Sequence, residues 1–297
     1  MKRILILGAQ GQLGIELQSI FRDAGCVIPY GRANCDLSDL QSIRATIREA
    51  RPDVILNAAA YTAVDRAESE PELAMRINGE APGTLAEEAR KINALLVHYS
   101  TDYVFDGLKT KPYVEDDPVR PLNVYGATKL AGERNIQQTG GRSLIFRTSW
   151  VFSPHGQNFL RTMLRFGQDR DQLRVVNDQK GAPTSAREVA AATRRVIEST
   201  AEHKPECATG IYHMTCAGET TWFGFAQAIF AKMHAEKPWA SLTGIPSSEY
   251  AAPATRPANS VLSNERLKAD FDVELPSWET ALDGAVQTLS IQNSRAL

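Results

Sequence analysis

Tyr125 and Lys129 stand four residues apart, and a phenol held beside an ammonium is a way to make a proton donor. On a helix that spacing sends both side chains off one face, where they can meet. A free phenol titrates near ~10, too weakly acidic for proton transfer at neutral pH. A cation within roughly 4–6 Å favours the phenolate and lowers that value. Thr101 closes the run Val97-His98-Tyr99-Ser100-Thr101, which reads as a strand. Ligands of open α/β sheets bind beyond the carboxyl ends of strands, so the Thr101 hydroxyl is placed to hydrogen-bond the same substrate oxygen. An isolated Tyr-x-x-x-Lys is most often a surface pair on an ordinary helix. A glycine-rich loop far upstream is what gives this one weight.

That loop is Gly8-Ala9-Gln10-Gly11-Gln12-Leu13-Gly14. An apolar strand, Arg3 to Leu7, precedes it, and Leu13, Leu17, Ile20 and Phe21 follow at helical spacing. Strand, glycine loop and helix form the context of a dinucleotide site. Absent side chains let backbone N–H groups approach a pyrophosphate at the positive end of the helix. The spacing is Gly-x-x-Gly-x-x-Gly rather than Gly-x-Gly-x-x-Gly. A second strand, Cys26 to Tyr30, ends in Gly31-Arg32. An acid at that place favours a ribose 2′-hydroxyl and an arginine accommodates a 2′-phosphate, so Arg32 tilts the choice towards NADPH over NADH. Asp36 and Leu37 are placed to flank the adenine. The third strand, Asp53 to Asn57, delivers Ala58-Ala59-Ala60-Tyr61-Thr62, whose small residues allow close backbone approach to a cofactor.

Composition is compatible with this and narrows the alternatives. The chain has 297 residues, 23% of them charged, and a formal net charge of −2. No basic excess points to nucleic acid, and no apolar run reaches the roughly 20 residues that cross a bilayer. The apolar run after Lys2 and Arg3 stops at Gly8, too short for a secretory signal, so a cytoplasmic location is expected. Cys26, Cys35, Cys207 and Cys216 show no Cys-x-x-Cys spacing, and neither a zinc site nor a disulfide framework is expected.

Further along, residues 70–92 read as a long helix that Pro82 and Gly83 must kink or divide. A fourth strand runs from Ala94 to Ser100, residues 106–122 read as a long loop, and a fifth strand runs from Ser143 to Arg147. This alternation predicts an α/β, Rossmann-type, doubly wound parallel sheet with right-handed crossovers. Beyond residue 152 the alternation fades. Residues 174–176 and 210–213 are expected as returning strands, 185–199 as a helix, and 238–257 mostly as loop. The expected division is a dinucleotide-binding part, 1–152 plus roughly 174–215, and a smaller substrate-binding part, roughly 153–173 plus 216–297.

The glycine loop, the run Ser100-Thr101-Asp102-Tyr103-Val104-Phe105, the Tyr125/Lys129 pair and Arg147-Thr148-Ser149-Trp150-Val151 together resemble the extended short-chain dehydrogenases/reductases. More narrowly, with Asn177-Asp178-Gln179-Lys180-Gly181-Ala182-Pro183-Thr184 and Arg256-Pro257-Ala258-Asn259-Ser260, nearly the whole chain resembles the dTDP-4-dehydrorhamnose reductase family. That resemblance implies hydride transfer from a reduced nicotinamide to the C4 keto group of a dTDP-sugar. Tyr125 would be the proton donor, Lys129 would bind the nicotinamide ribose, and Thr101 would tune the tyrosine. Gly11, Gln12 and Leu13 would contact the pyrophosphate, Asp36 and Leu37 the adenosine end, and Ala60, Tyr61 and Thr62 the middle of the cofactor. Thr101, Asp102 and Trp150 match positions that contact the sugar nucleotide, Trp150 offering a broad apolar face. Arg256 and Asn259 are candidates for the diphosphate, because an arginine can grip it with two hydrogen bonds.

Some members of this family pair through a magnesium site of glutamates. Glu16 and Glu188 match two of those places, but the third, around Val286 to Ser290, carries no acid. Magnesium needs several hard oxygen ligands, so no metal is expected, and the partner expectation is a monomer or weak homodimer. A sugar-nucleotide epimerase or dehydratase shares the Tyr–Lys pair, although dehydratases usually place two consecutive acids after the threonine and here Tyr103 follows Asp102. The NADP-binding regulatory subunit of methionine adenosyltransferase also resembles these reductases without being one.

Overall fold

The computed structural model describes residues 1–202, 209–233 and 238–295; Cys207 lies outside the described residues, as do 203–208, 234–237 and 296–297 of the two expected parts. Six parallel strands form the central sheet. They are β1 (Arg3–Leu7), β2 (Cys26–Tyr30), β3 (Val54–Asn57), β4 (Leu95–Thr101), β5 (Ser143–Thr148) and a returning strand, Gly210–His213. Their spatial order is Gly210–His213, β5, β4, β3, β1, β2. The chain leaves β1 for β2 on one side and returns to β3 on the other, so the crevice at the carboxyl end of β1 is a topological switch point, where such sheets bind ligands. Every residue of β4 is buried, as expected for a parallel strand covered by helices on both faces.

Helices α1 (Gln12–Ile20), α2 (Leu40–Ala50), α3 (Val64–Ala67), α4 (Pro71–Met75), α5 (Ala81–Lys91) and α6 (Val124–Thr139) accompany these strands. The long helix expected over residues 70–92 is divided, but by a π turn rather than a kink: in Arg76–Glu80 the Ala81 N–H reaches back to the Arg76 carbonyl. The cause lies one residue on. Pro82 has no N–H for the Asn78 carbonyl and its ring would crowd that carbonyl. The freed carbonyl lies against α6 at Gly132, where an added Cβ would come within 2.2 Å of it.

Helix α6 starts at Asn123, whose side chain accepts the Gly126 N–H at 2.8 Å, and stops at Gly140 with φ +64°. Gly126 permits a second close contact, since a Cβ there would lie 2.2 Å from the Tyr103 carbonyl. In the interior, Glu133 of α6 accepts Arg147 Nε at 2.9 Å and Nη2 at 2.7 Å, and the Ser100 hydroxyl at 2.5 Å. All three residues are buried, so this network ties α6 to β4 and β5.

Past residue 152 the structure departs from two expectations. The strand over 174–176 exists, as Gln172–Val176, but pairs with Ser241–Ile245 in a separate two-stranded sheet and not with the central one. Its partner lies inside the stretch expected to be mostly loop. Cys26, Cys35 and Cys216 are free thiols. Among the described residues, no helix is long and apolar enough to cross a membrane.

Replacing Arg147 with leucine leaves the Glu133 carboxylate buried without its cation. Breaking a buried pair on one side costs ~3–5 kcal/mol, so the denaturant midpoint of Arg147→Leu should fall far below that of the native chain. An unchanged midpoint would mean that the network is not holding α6 to the sheet.

Candidate active site

Thr101 ends β4, and a single 3₁₀ turn, Asp102–Val104, begins there because the Thr101 hydroxyl accepts the Tyr103 N–H at 3.1 Å. The close contact at Gly126 brings Tyr125 against this turn. The Thr101 hydroxyl lies near enough to the Tyr125 phenol to favour its ionised form, and the Tyr103 ring meets the Tyr125 ring edge-on with centroids 5.8 Å apart. Thr101 also donates to Asp102 Oδ1 at 2.9 Å. Asp102 Oδ2 is buried without a hydrogen-bond partner.

The electrostatics differ from the expectation. Burial, and then the Asp102 carboxylate, push the Tyr125 phenol up to about 12, with Thr101 pulling the other way. Burial also pushes the Asp102 carboxyl up to about 7. Lys129 is only 1% exposed. Its Nζ donates to the Tyr99 carbonyl at 2.6 Å and lies 3.2 Å from His98 Nε2, facing the strand. Burial brings its pKa down to about 8, against the opposing pull of Glu133. Lysine and tyrosine thus share a helix face as the spacing requires, but the lysine does not acidify the phenol here. The Tyr99 carbonyl and the His98 ring claim its nitrogen instead.

The cofactor cradle is built from backbone. Gly8 has φ +76°, which favours glycine, and a Cβ there would strike Ala59 N at 2.7 Å; a Cβ on Gly14 would lie 2.1 Å from the Gly8 carbonyl. Gly11 caps α1 without any side-chain hydrogen bond, so the first-turn N–H groups at Gln12 and Leu13 are open to an anion. These residues fit a dinucleotide pyrophosphate. At the end of β2, Arg32 is exposed and pairs with Asp36 at 3.4 Å, so a cation and an acid meet where the adenosine ribose would lie. Leu37 is a buried core residue. The backbone of Tyr61, in the run Ala60-Tyr61-Thr62, is clamped by Asn78, which accepts its N–H at 2.9 Å and donates to its carbonyl at 3.0 Å. Asn78 was not foreseen, and only its place before Pro82 could have signalled it.

Beyond the turn lies a cavity of about 710 Å³ lined by Phe166, Arg174, Trp222, Tyr250 and Arg256 among others. Arg256 spans from this cavity towards the Asp102–Val104 turn: it grips Asp65 at 3.1 and 2.9 Å, and its charge acts on the Tyr103 phenol. Trp150, expected to offer its face to a sugar or base, stacks on Trp222 at 3.5 Å with planes 7° apart, and Gly181 leaves room for its indole. Trp222 is the ring of this pair that lines the cavity. Asn259 holds the Lys109 carbonyl at 2.6 Å and the Val261 N–H at 3.1 Å, bracing the long loop rather than facing the cavity with a free amide. Glu16 lies 3.7 Å from His155 and 3.9 Å from Arg187. Glu188 is near enough to raise the Glu16 carboxyl, but with His155 and Arg187 beside that carboxylate the group is a poor donor set for magnesium, and these residues do not fit that metal.

Residues 1–291 match the family described as RmlD substrate binding domain. Among curated relatives, dTDP-4-dehydrorhamnose reductase of Burkholderia thailandensis is 48% identical, covering 98% of this chain and all of its own. The Salmonella typhimurium reductase of the same name is 46% identical over 93% of this chain and 94% of its own. The crystal structure of dTDP-4-dehydrorhamnose reductase from Bacillus anthracis in complex with NADP superposes with a TM-score of 0.90 at 33% identity, covering 97% of this chain and 99% of that one. With a nucleotide cradle, a tyrosine and threonine at its mouth and this degree of likeness along almost its whole length, the chain belongs to the dTDP-4-dehydrorhamnose reductase family.

Proposed function

We infer that this chain reduces the C4 keto group of dTDP-4-dehydro-L-rhamnose with NADPH or NADH, giving dTDP-L-rhamnose. The observation that carries this reading is the Tyr125 phenol packed against the turn that follows Thr101, beside a backbone cradle that fits a dinucleotide. When bound, the reduced nicotinamide supplies the hydride. The chain's own residues handle the proton and the sugar. Tyr125 hydrogen-bonds the keto oxygen and gives it a proton as hydride arrives at C4, so the Tyr125 O–H bond breaks and a C4 hydroxyl forms.

A phenol held near 12 suits this direction. An alkoxide is roughly as basic as hydroxide, whose conjugate acid titrates near ~15.7, so it takes the proton even from a weak phenol. At pH 7 nearly every Tyr125 is loaded. Thr101 orients the carbonyl, and Lys129, an ammonium below about pH 8, puts positive charge beside the nicotinamide ribose. Asp102, with one oxygen unpartnered, is offered to a sugar hydroxyl. Arg256, with Trp222 and Tyr250 near it in the cavity, serves the nucleotide, exchanging Asp65 for a diphosphate. Gly8, Gly11, Gln12, Leu13 and Gly14 hold the pyrophosphate, Arg32 and Asp36 the adenosine ribose, and Ala60, Tyr61 and Thr62 the span between. The central sheet is the dinucleotide part, and the segments around the two-stranded sheet Gln172–Val176/Ser241–Ile245 are the substrate part. We further propose a monomer or weak homodimer in the cytoplasm, a reading supported by the poor fit of Glu16 to a bridging metal.

Mixing the protein with dTDP-4-dehydro-L-rhamnose and each reduced cofactor, and following loss of the reduced-nicotinamide absorbance, tests the reaction; no loss with either cofactor would refute it. Tyr125→Phe should bind NADPH with native affinity while turnover drops ~10²–10⁴-fold, the usual scale for a general acid, and native turnover would remove the phenol from the mechanism. Arg256→Leu should raise KM for the sugar nucleotide ~10-fold or more, the scale of a lost charged hydrogen bond, with KM for NADPH unmoved. Equal movement of both would place Arg256 outside the substrate site.

A further inference from the structure

Lys129 Nζ is enclosed, and the group closest to it besides the Tyr99 carbonyl is an imidazole that the mechanism above does not use. His98 is 1% exposed and directly opposite Asn57 in the β3–β4 register. Asn57 Nδ2 lies 3.0 Å from His98 Nδ1, while Asn57 Oδ1 accepts the Ala59 N–H at 3.3 Å. That backbone donor decides the amide's orientation, since a flipped amide would set its NH₂ against the Ala59 N–H. The NH₂ therefore points at the ring, His98 Nδ1 accepts, and in the neutral ring the proton is on Nε2. Burial and the neighbouring Lys129 both keep this imidazole neutral.

The consequence falls on Lys129. An Nε2–H pointing at Nζ from 3.2 Å meets a good partner only when that nitrogen has a lone pair. An ammonium there presents donor to donor. We propose that His98, its tautomer fixed by Asn57, is a positioning residue that presents an N–H to Lys129 and thereby keeps the charge of that lysine labile. The charged and titratable groups around Nζ do not overturn this. Glu133, one turn along α6, is already claimed by Arg147 of β5 and Ser100 of β4; Tyr125 on the same helix is an uncharged phenol near neutrality; and Asp102, on the adjoining turn, acts on that phenol. The kinetic part of the idea rests on the role given to Lys129 above, whereas the tautomer does not.

Two measurements test it. In the intact protein labelled with ¹⁵N-histidine, the His98 nitrogens should show protonated Nε2 and bare Nδ1 from pH 6 to 9; a proton on Nδ1 overturns the proposal whether or not the protein is active. In His98→Gln, a side-chain carbonyl can accept from the ammonium, so the alkaline limb of kcat should move up by about one pH unit, with KM for NADPH little changed. A limb that stays in place in a folded His98→Gln also overturns it, because a merely structural histidine would lower the rate without shifting the profile. Should that variant fail to fold, the tautomer measurement on the native chain decides alone.

Discussion

Helix α6 lies so close to its neighbours that two of its residues can have no side chain. Gly126 faces the Tyr103 carbonyl and Gly132 the Asn78 carbonyl, each at a distance that a Cβ would reduce to 2.2 Å. Nearly everything chemical in the molecule follows from that approach. It sets Tyr125 beside Thr101 and Asp102, sinks Lys129 against β4, and brings Glu133 within reach of Arg147 in the interior. The second contact depends in turn on a defect elsewhere, the π turn that Pro82 forces on the preceding helix. The same turn carries Asn78, whose side chain clamps the backbone of Tyr61. One packing constraint therefore joins the proton donor to the segment proposed to hold the cofactor.

Burial at this contact sorts the titratable groups into distinct states. Desolvation opposes charge wherever it acts, raising acids and lowering bases. The Tyr125 phenol stays protonated, Asp102 titrates near neutrality, and Lys129 gives up its proton more easily than a surface lysine. Such an arrangement keeps Tyr125 loaded with its proton at neutral pH. Reduction consumes a loaded phenol, while oxidation needs a phenolate that burial disfavours.

Much of this was legible in the residues. The strand–glycine–helix opening and the strand alternation to residue 148 follow from local periodicity, and the central sheet has that form. Spacing identified Tyr125 and Lys129 as neighbours on one face, yet a helix face says nothing about where a four-carbon side chain ends. Lys129 turns to the Tyr99 carbonyl, which only the packed structure supplies. The stacking partner of Trp150 was hidden for a similar reason: Trp222 is some seventy residues away, and it is the ring that lines the cavity. The strand Ser241–Ile245 was hidden because its segment is rich in Pro, Ser and Ala, and its pairing with Gln172–Val176 is non-local.

The proton that the reduction needs sits on one phenol. Ultraviolet difference titration of the native chain against Tyr125→Phe isolates that group from the other tyrosines. The account predicts that no tyrosinate signal belonging to Tyr125 appears up to pH 10, consistent with ionisation near 12. A Tyr125 phenolate forming below pH 8 would contradict it.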